Sequence, residues 1–144
     1  MEIAVLGPGD AAVLENKAPE VFDHAIDPRW CAQFFADPRH HLAVAIDDGT
    51  VVGMVSAVHY VHPDKAPELW INEVGVASTH RRMGVAKRLL DAMLAHGRAL
   101  GCGEAWVLTD AGNAAAMRLY AAAGGTEQVP QPVMFSFRLN RGEG

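Results

Sequence analysis

Between Glu68 and Thr109 the hydrophobic pattern changes period twice. Residues 68–77, ELWINEVGVA, read as a strand. From there the apolar positions Val85, Leu89, Leu90, Met93 and Leu94 recur at helical spacing, and Gly101 suits a helix end. A helix is therefore predicted from about Met83 to Leu100. Residues 104–109, EAWVLT, are near-continuously apolar, the pattern of a strand covered on both faces. A strand, a long helix and a second strand in this order form a crossover, which lays the second strand parallel to the first.

The preceding residues set what the crossover joins. Residues 2–6 read as a short strand stopped by Gly7-Pro8-Gly9, and Asp10 caps a short helix to about Glu15. Asp27-Pro28 opens a second helix with Trp30, Phe34 and Phe35 on one face, ending before Asp37-Pro38. Residues 41–47 and 50–62 are strands joined by Asp47-Asp48-Gly49, a hairpin turn in which glycine takes the positive φ. After the crossover, Asn113 caps a helix to about Ala123, ended by Gly124-Gly125, and the alternating residues 132–139, PVMFSFRL, predict a closing strand. The fold class expected is α+β: an antiparallel meander feeding a helix crossover, in one mixed sheet with helices on both faces.

With 144 residues, half of them hydrophobic and a fifth charged, the chain is expected to be a single domain spanning 1–144. No apolar run reaches membrane-spanning length, and Met1-Glu2-Ile3-Ala4 lacks a basic signal-peptide start, so a cytoplasmic protein is expected. The net charge of −5 argues against a nucleic-acid partner. Cys31 and Cys102, far apart in apolar surroundings, read as reduced packing residues. The seven histidines show no tight ligand spacing, so no metal is expected. Of these, His59 and His62 either line a cleft at a strand end or sit on the surface.

The chemistry concentrates in residues 80–88, His-Arg-Arg-Met-Gly-Val-Ala-Lys-Arg, where four of the twelve Lys and Arg fall between Arg81 and Arg88. The segment sits where a strand hands over to a long helix. A helix start offers unpaired N–H groups and partial positive charge, and Gly84 and Ala86 keep the turn bare. It reads either as a pyrophosphate cradle built from main-chain donors or as a solvated basic helix start. The nucleoside-triphosphate and dinucleotide glycine motifs are absent. In the later helix, Asn113 and Tyr120 lie seven residues apart, on one face at a separation of about 10 Å. Tyr120 is either aimed along a ligand groove or a core aromatic.

Together these segments resemble the GNAT (Gcn5-related N-acetyltransferase) superfamily. The match to its acetyl-CoA motif runs from Val76 through Leu89, and the second match is the Asn-x-x-Ala-x-x-Leu-Tyr-x-x-x-Gly pattern at Asn113, Ala116, Leu119, Tyr120 and Gly124. Gly125 departs from the family, which usually has a bulky residue there. The resemblance implies acetyl transfer from acetyl-CoA to a primary amine, with no metal. It implies that Arg81, Arg82, Met83, Gly84, Val85 and Ala86 form the turn whose N–H groups hold the pyrophosphate. It implies that Val74 and Val76 pair with the pantetheine arm as an added strand, splayed from residues 104–109. Asn113 would bond the pantetheine, and Tyr120 would protonate the departing thiolate. A homodimer is also implied.

An ammonium has no lone pair, so the transfer needs a base. Glu73 is the best-placed carboxylate. In a period-2 strand Ile71, Glu73 and Gly75 share one face, and Asn72 and Val74 the other. Asp110, past the next strand, either binds the substrate amine or starts a turn. Within the superfamily, residues 68–120 look most like the small aminoglycoside 3-N-acetyltransferases, through Ile71-Asn72-Glu73-Val74-Gly75-Val76, where Asp is the usual acid. A polycationic aminoglycoside would need an acidic cleft, for which Asp23, Asp27, Asp64, Glu68, Glu73, Asp110 and Glu127 are available. The alternatives are another amine acceptor (a polyamine, a metabolite or a protein amine) or a noncatalytic acyl-CoA-binding module.

Overall fold

The computed structural model describes residues 1–140. Five strands form one sheet in sequence order: β1 (Glu2–Leu6), β2 (His40–Asp47), β3 (Thr50–Tyr60), β4 (Glu68–Val76) and β5 (Glu104–Val107). The first four are antiparallel neighbours, and β5 lies parallel to β4. The helices are α1 (Pro28–Ala36), α2 (Val85–Ala99) and α3 (Ala114–Ala122). The predicted first helix is a single 3-10 turn, Ala11–Glu15.

Local chemistry accounts for these boundaries. The Asp27 carboxylate accepts the Arg29 and Trp30 N–H groups, and Pro28 occupies the first helical position of α1. Asp48 and Gly49 both have positive φ, 50° and 77°, so the β2–β3 hairpin turns in the sense that matches strand twist. The α2 residues Val85, Leu89, Leu90 and Met93 are buried against the sheet. Each contributes about 1.5–3 kcal/mol of apolar burial. Gly97 lets α2 lie close to β4, since a Cβ there would come within 2.9 Å of the Leu69 side chain.

The two sheet faces are distinguishable by what touches them. His41 bonds His96 of α2, so it points to the α2 face, and its neighbour His40 stacks under Phe34 of α1 on the opposite face. Helices thus cover both faces, as expected.

The strand predicted over residues 104–109 with both faces covered spans only Glu104–Val107 and has no buried residue. Two further expectations are corrected. Residues 132–139 form no strand: Val133, Phe135, Phe137 and Leu139 are 81%, 80%, 82% and 91% exposed. Alternation makes a strand only where the backbone is paired, and among the described residues β5 pairs with β4 alone. Second, β4 is not strictly period-2. The pairing passes from Ile71↔Ala57 to Glu73↔Ser56, leaving Asn72 as an extra residue in a bulge.

Candidate active site

The strands β4 and β5 part company midway. Pairing runs from Glu68↔Glu104 to Ile71↔Val107 and stops, while β4 continues to Val76. Residues 72–76 therefore present their backbone toward a gap on the β5 side while β3 holds the other side. An unpaired strand edge of this kind accepts an extended ligand as an added strand.

The open edge leads directly into the basic turn. The Ala77 N–H donates to the Val52 carbonyl, and a 3-10 turn, Ser78–His80, follows. His80 Nε2 lies 2.7 Å from Asp47 Oδ2 and His80 Nδ1 lies 2.8 Å from Thr79 Oγ1, which clamps the turn to the end of β2. The hydrogen bond from His80 holds the Asp47 carboxyl below its ordinary range. Arg82 and Gly84 then adopt left-handed φ values of 62° and 75°. A non-glycine residue there stores strain that the surroundings must hold. The first α2 bond is Arg88 N–H to the Gly84 carbonyl, so the N–H groups from Gly84 to Lys87 have no partner within the helix. Nothing lies within 4 Å of where a Gly84 side chain would stand. The result is an open concavity of main-chain donors, the geometry that suits a diphosphate.

The four cations of this segment divide into two pairs. Arg81 is 3.1 Å from Glu20, and Lys87 is 2.7 Å from Asp91. Arg82 and Arg88 are exposed and have no ion-pair partner among the described residues. Arg81 also ties the segment carrying Glu20 to the turn. That segment, residues 17–25, lines a cavity of about 350 Å³. It crosses β4 at Gly75, where a Cβ would land on the Val21 carbonyl oxygen. Glycine is required there to let one part of the chain pass over another.

The bulge at Asn72 determines where Glu73 points. Its partner Ser56 lies on the face opposite α2, together with Val58, Tyr60 and Trp70. Glu73 therefore shares a face with Trp70 and Gly75 and not with Ile71, which is the correction to strict alternation. Glu73 is exposed, with no hydrogen bond or ion pair among the described residues. On the same face the Trp70 and Trp106 rings stack at 4.9 Å and 13°, and Trp106 donates 3.1 Å to the Tyr60 hydroxyl. This aromatic platform beside Glu73 was not anticipated. Trp106 read only as part of an apolar strand, and the parallel pairing Trp70↔Trp106 exists only in three dimensions.

Beyond β5, the Asp110 side chain accepts from the Gly112 N–H, and its carbonyl accepts from the Asn113 N–H. Of the two readings left open for Asp110, its turn contacts are formed. Asn113 Oδ1 caps α3 by accepting from the Ala116 N–H, which leaves its amide N–H₂ to donate elsewhere. Tyr120 is half-buried against the core, and burial raises its hydroxyl pKa above the ordinary value. At Gly125 a Cβ would stand 2.9 Å from the Tyr120 carbonyl oxygen, so the α3 ending leaves no room for the bulky residue usual in the resemblance.

Of the seven candidate cleft carboxylates, Asp27 caps α1, Glu68 faces His62 and Lys65, Asp110 holds a turn and Glu127 accepts from Gln131. Asp23, Asp64 and Glu73 have no such partner among the described residues. His59 is drawn to the α2 face by a 2.7 Å contact with His41, away from Glu73. Among the described residues there is no grouping of three metal-ligating side chains, and no helix is long and apolar enough to cross a membrane. Cys31 and Cys102 are free, and burial pushes the Cys102 thiol up.

A family model described as the acetyltransferase (GNAT) family matches residues 11–124. The chain belongs to the GNAT acetyltransferase family. The mixed sheet with its splayed β4 and β5 is the GNAT fold, and the family's acyl donor is acetyl-CoA. No curated protein matches the chain in sequence. Solved structures share the GNAT fold at low identity. An aminoglycoside acetyltransferase, meta-AAC0020, from an uncultured soil metagenomic sample and in complex with sisomicin, is 20% identical with a TM-score of 0.80, covering 96% of each chain. Aminoglycoside N-acetyltransferase AAC(6')-Iy in complex with CoA is 21% identical with a TM-score of 0.75, covering 96% of this chain and 95% of that one. A ribosomal-protein-alanine N-acetyltransferase from Brucella melitensis biovar Abortus 2308 is 20% identical with a TM-score of 0.69, covering 94% of this chain and all of the other.

Proposed function

We propose that this GNAT protein acetylates a primary amine of a small polycationic molecule, an aminoglycoside being the acceptor class. The observation that carries the reading is the open β4 edge, residues 72–76, running without interruption into the donor-lined turn before α2. An extended thioester arm ending in a diphosphate matches that sequence of features: a strand edge for the arm, then main-chain N–H groups for the anion. Acetyl-CoA has this chemistry, and the donor set fits it. In this reading Val74 and Val76 pair with the arm, and the turn from Arg81 through Ala86 receives the diphosphate. The free Asn113 amide donates to the arm.

Glu73 takes the proton from the acceptor ammonium, directly or through water, so that the nitrogen lone pair can attack the thioester carbonyl. Tyr120 gives its phenolic proton to the departing thiolate. The raised pKa of its hydroxyl supports this role, because the group stays protonated at alkaline pH. The aminoglycoside acceptor is supported by three features. Unpaired carboxylates at Asp23, Asp64 and Glu73 offer charge for several ammonium groups. The Trp70–Trp106–Tyr60 platform on the Glu73 face offers flat aromatic surface to sugar C–H faces. Fold neighbours include aminoglycoside acetyltransferases. The Glu73 motif resembles the 3-N enzymes whereas a named neighbour is of the 6' type, so product mapping decides the position.

The test is release of the CoA thiol, followed with a thiol reagent, across aminoglycosides, polyamines, amino-acid amines and peptide N-termini. The expected result is turnover on an aminoglycoside above all other classes. Turnover confined to peptides or polyamines would replace the acceptor assignment, and tight CoA binding without turnover on any amine would replace the enzyme by a binding module.

A further inference from the structure

On the proposed placement of the acceptor amine at Glu73, which it requires, we infer that the Tyr60 hydroxyl is an aimed hydrogen-bond donor to an oxygen of the acceptor. Trp106 orients it, and it selects amines that carry hydroxyl or ether oxygens over polyamines that carry none.

The direction of the hydroxyl follows from its one partner. An indole N–H can only donate, and Trp106 Nε1 lies 3.1 Å from the Tyr60 hydroxyl oxygen. The oxygen therefore accepts, and the phenol's own hydrogen is directed away from Trp106. Among the described residues nothing accepts that hydrogen. Glu68, the cross-strand partner of Tyr60, is turned instead to His62 at 3.1 Å and Lys65 at 3.7 Å. His62 meets the Tyr60 ring edge-on, with centroids 5.1 Å apart at 69°. The half-buried phenol is thus braced by an indole on one side and an imidazole on the other. A donor fixed in direction before a ligand arrives loses little freedom on binding it.

The place of this donor in the fold gives it a target. Tyr60 stands on β3 and Trp106 on β5, so their bond spans the face of β4 close to where β4 and β5 part. Trp70, 38% exposed, stacks on Trp106 between them and Glu73. Glu73 lies three residues beyond Trp70 on the same face, a separation of roughly 10 Å or less by strand rise. An acceptor with its amine at Glu73 that extends over Trp70 therefore brings its next polar group toward Tyr60. A hydroxyl or ether oxygen there can take the Tyr60 hydrogen. An ammonium there cannot, because it carries only donors. The same hydroxyl thus attracts an amino sugar and leaves a polyamine with two donors facing each other, which is how a site built for an oxygen rejects a ligand lacking one.

Calorimetric titration of kanamycin and of spermidine into the full chain, with CoA in excess, tests this. Kanamycin carries hydroxyl and ether oxygens, and spermidine carries none. The wild type is expected to bind kanamycin more tightly. Tyr60→Phe, which removes one oxygen and keeps the ring, is expected to weaken kanamycin by roughly three- to tenfold and to leave spermidine within about twofold. In the thiol-release assay the same variant should raise KM for kanamycin and leave kcat within about twofold. Trp106→Phe keeps a ring against Trp70 and removes the N–H that aims the hydroxyl. It should weaken kanamycin in the same direction, and Tyr60→Phe/Trp106→Phe should lose less than the sum of the two single variants. Equal weakening of both amines in Tyr60→Phe, or no change in either, overturns the donor role while the acceptor class stands. Additive losses in the double variant overturn the orienting role of Trp106. A wild type that prefers spermidine overturns the acceptor class and the donor role together, and that failure shows before any variant is made.

Discussion

Ile71 and Glu73 point to opposite faces of the sheet although only one residue separates them, because Asn72 is bulged out of the β3–β4 ladder. Without the bulge, Glu73 would project toward α2 among Leu89 and Met93, where an unpaired carboxylate is strongly disfavoured. With it, the carboxylate stands on the face of Trp70 at the point where β4 and β5 diverge.

Glu73→Gln keeps the shape and removes the base. We expect kcat/KM for the amine to fall by about 10²-fold or more, with coenzyme affinity unchanged. The loss is greatest at low pH, where the acceptor is most fully protonated and most needs a base. A pH profile matching wild type in shape and height would remove Glu73 from the reaction.

Tyr120→Phe should lower kcat by roughly 10²-fold while leaving the dissociation constant for CoA within about twofold. Burial holds the hydroxyl protonated above its ordinary range, so the wild-type rate should show no alkaline loss near the usual tyrosine pKa. Equal losses in binding and turnover would indicate that the ring serves packing alone.

The division of the four cations gives a sharper expectation for the turn. Arg82 has no ion-pair partner among the described residues, whereas Lys87 is engaged with Asp91. Arg82→Ala should therefore raise the KM for acetyl-CoA several-fold more than Lys87→Ala, and the difference should shrink with added salt. Gly84→Asp, which places a negative side chain in the open concavity, should weaken CoA binding at least about tenfold. Calorimetric titration with CoA measures each. Wild-type affinity in Gly84→Asp would end the diphosphate assignment.

Much of this frame was legible in the sequence because its cause is local. The α2 period, the Asp27 and Asn113 caps and the Asp48-Gly49 turn each depend on neighbours within a few residues. The features that escaped depend on partners far away. The Asn72 bulge is a property of the β3–β4 pairing and leaves no mark on a strand read alone. Glu20, which neutralises Arg81, lies 61 residues away. Trp106 acquires its role only from Trp70 and Tyr60 on two other strands. The alternation of residues 132–139 predicts a strand that does not form among the described residues, because alternation reports a pattern of side chains and not the pairing partner a strand needs.

Gly75→Ala tests the crossing of residues 17–25 over β4. The added methyl would meet the Val21 carbonyl oxygen, which is backbone and cannot rotate away. Overpacking of this kind costs about 1–3 kcal/mol. Chemical denaturation should show that loss, and because the displaced segment also holds Glu20 beside Arg81, coenzyme affinity should fall with it. Full stability in the variant would mean that the segment lifts from β4 at little cost.

The histidine chain predicts the acid limit of the fold. His41 Nε2 lies 2.7 Å from His59 Nδ1, and His41 Nδ1 lies 3.0 Å from His96 Nε2. Burial, followed by the neighbouring His96 and His59, lowers the His41 pKa from 6.5 to about 4, and burial also lowers that of His96. Both groups are therefore neutral in the folded chain at a pH where the unfolded chain already binds their protons. The unfolded state takes up more protons as the pH falls below 6.5, so stability declines from there down to about 4, with His41 contributing on the order of 3 kcal/mol. Urea midpoints measured between pH 7.5 and 4.5 should drop steadily over the lower part of that range. His41→Leu, which removes the ionisable group but keeps the site filled, should flatten the slope, and an unaltered slope in that variant would move the acid sensitivity elsewhere.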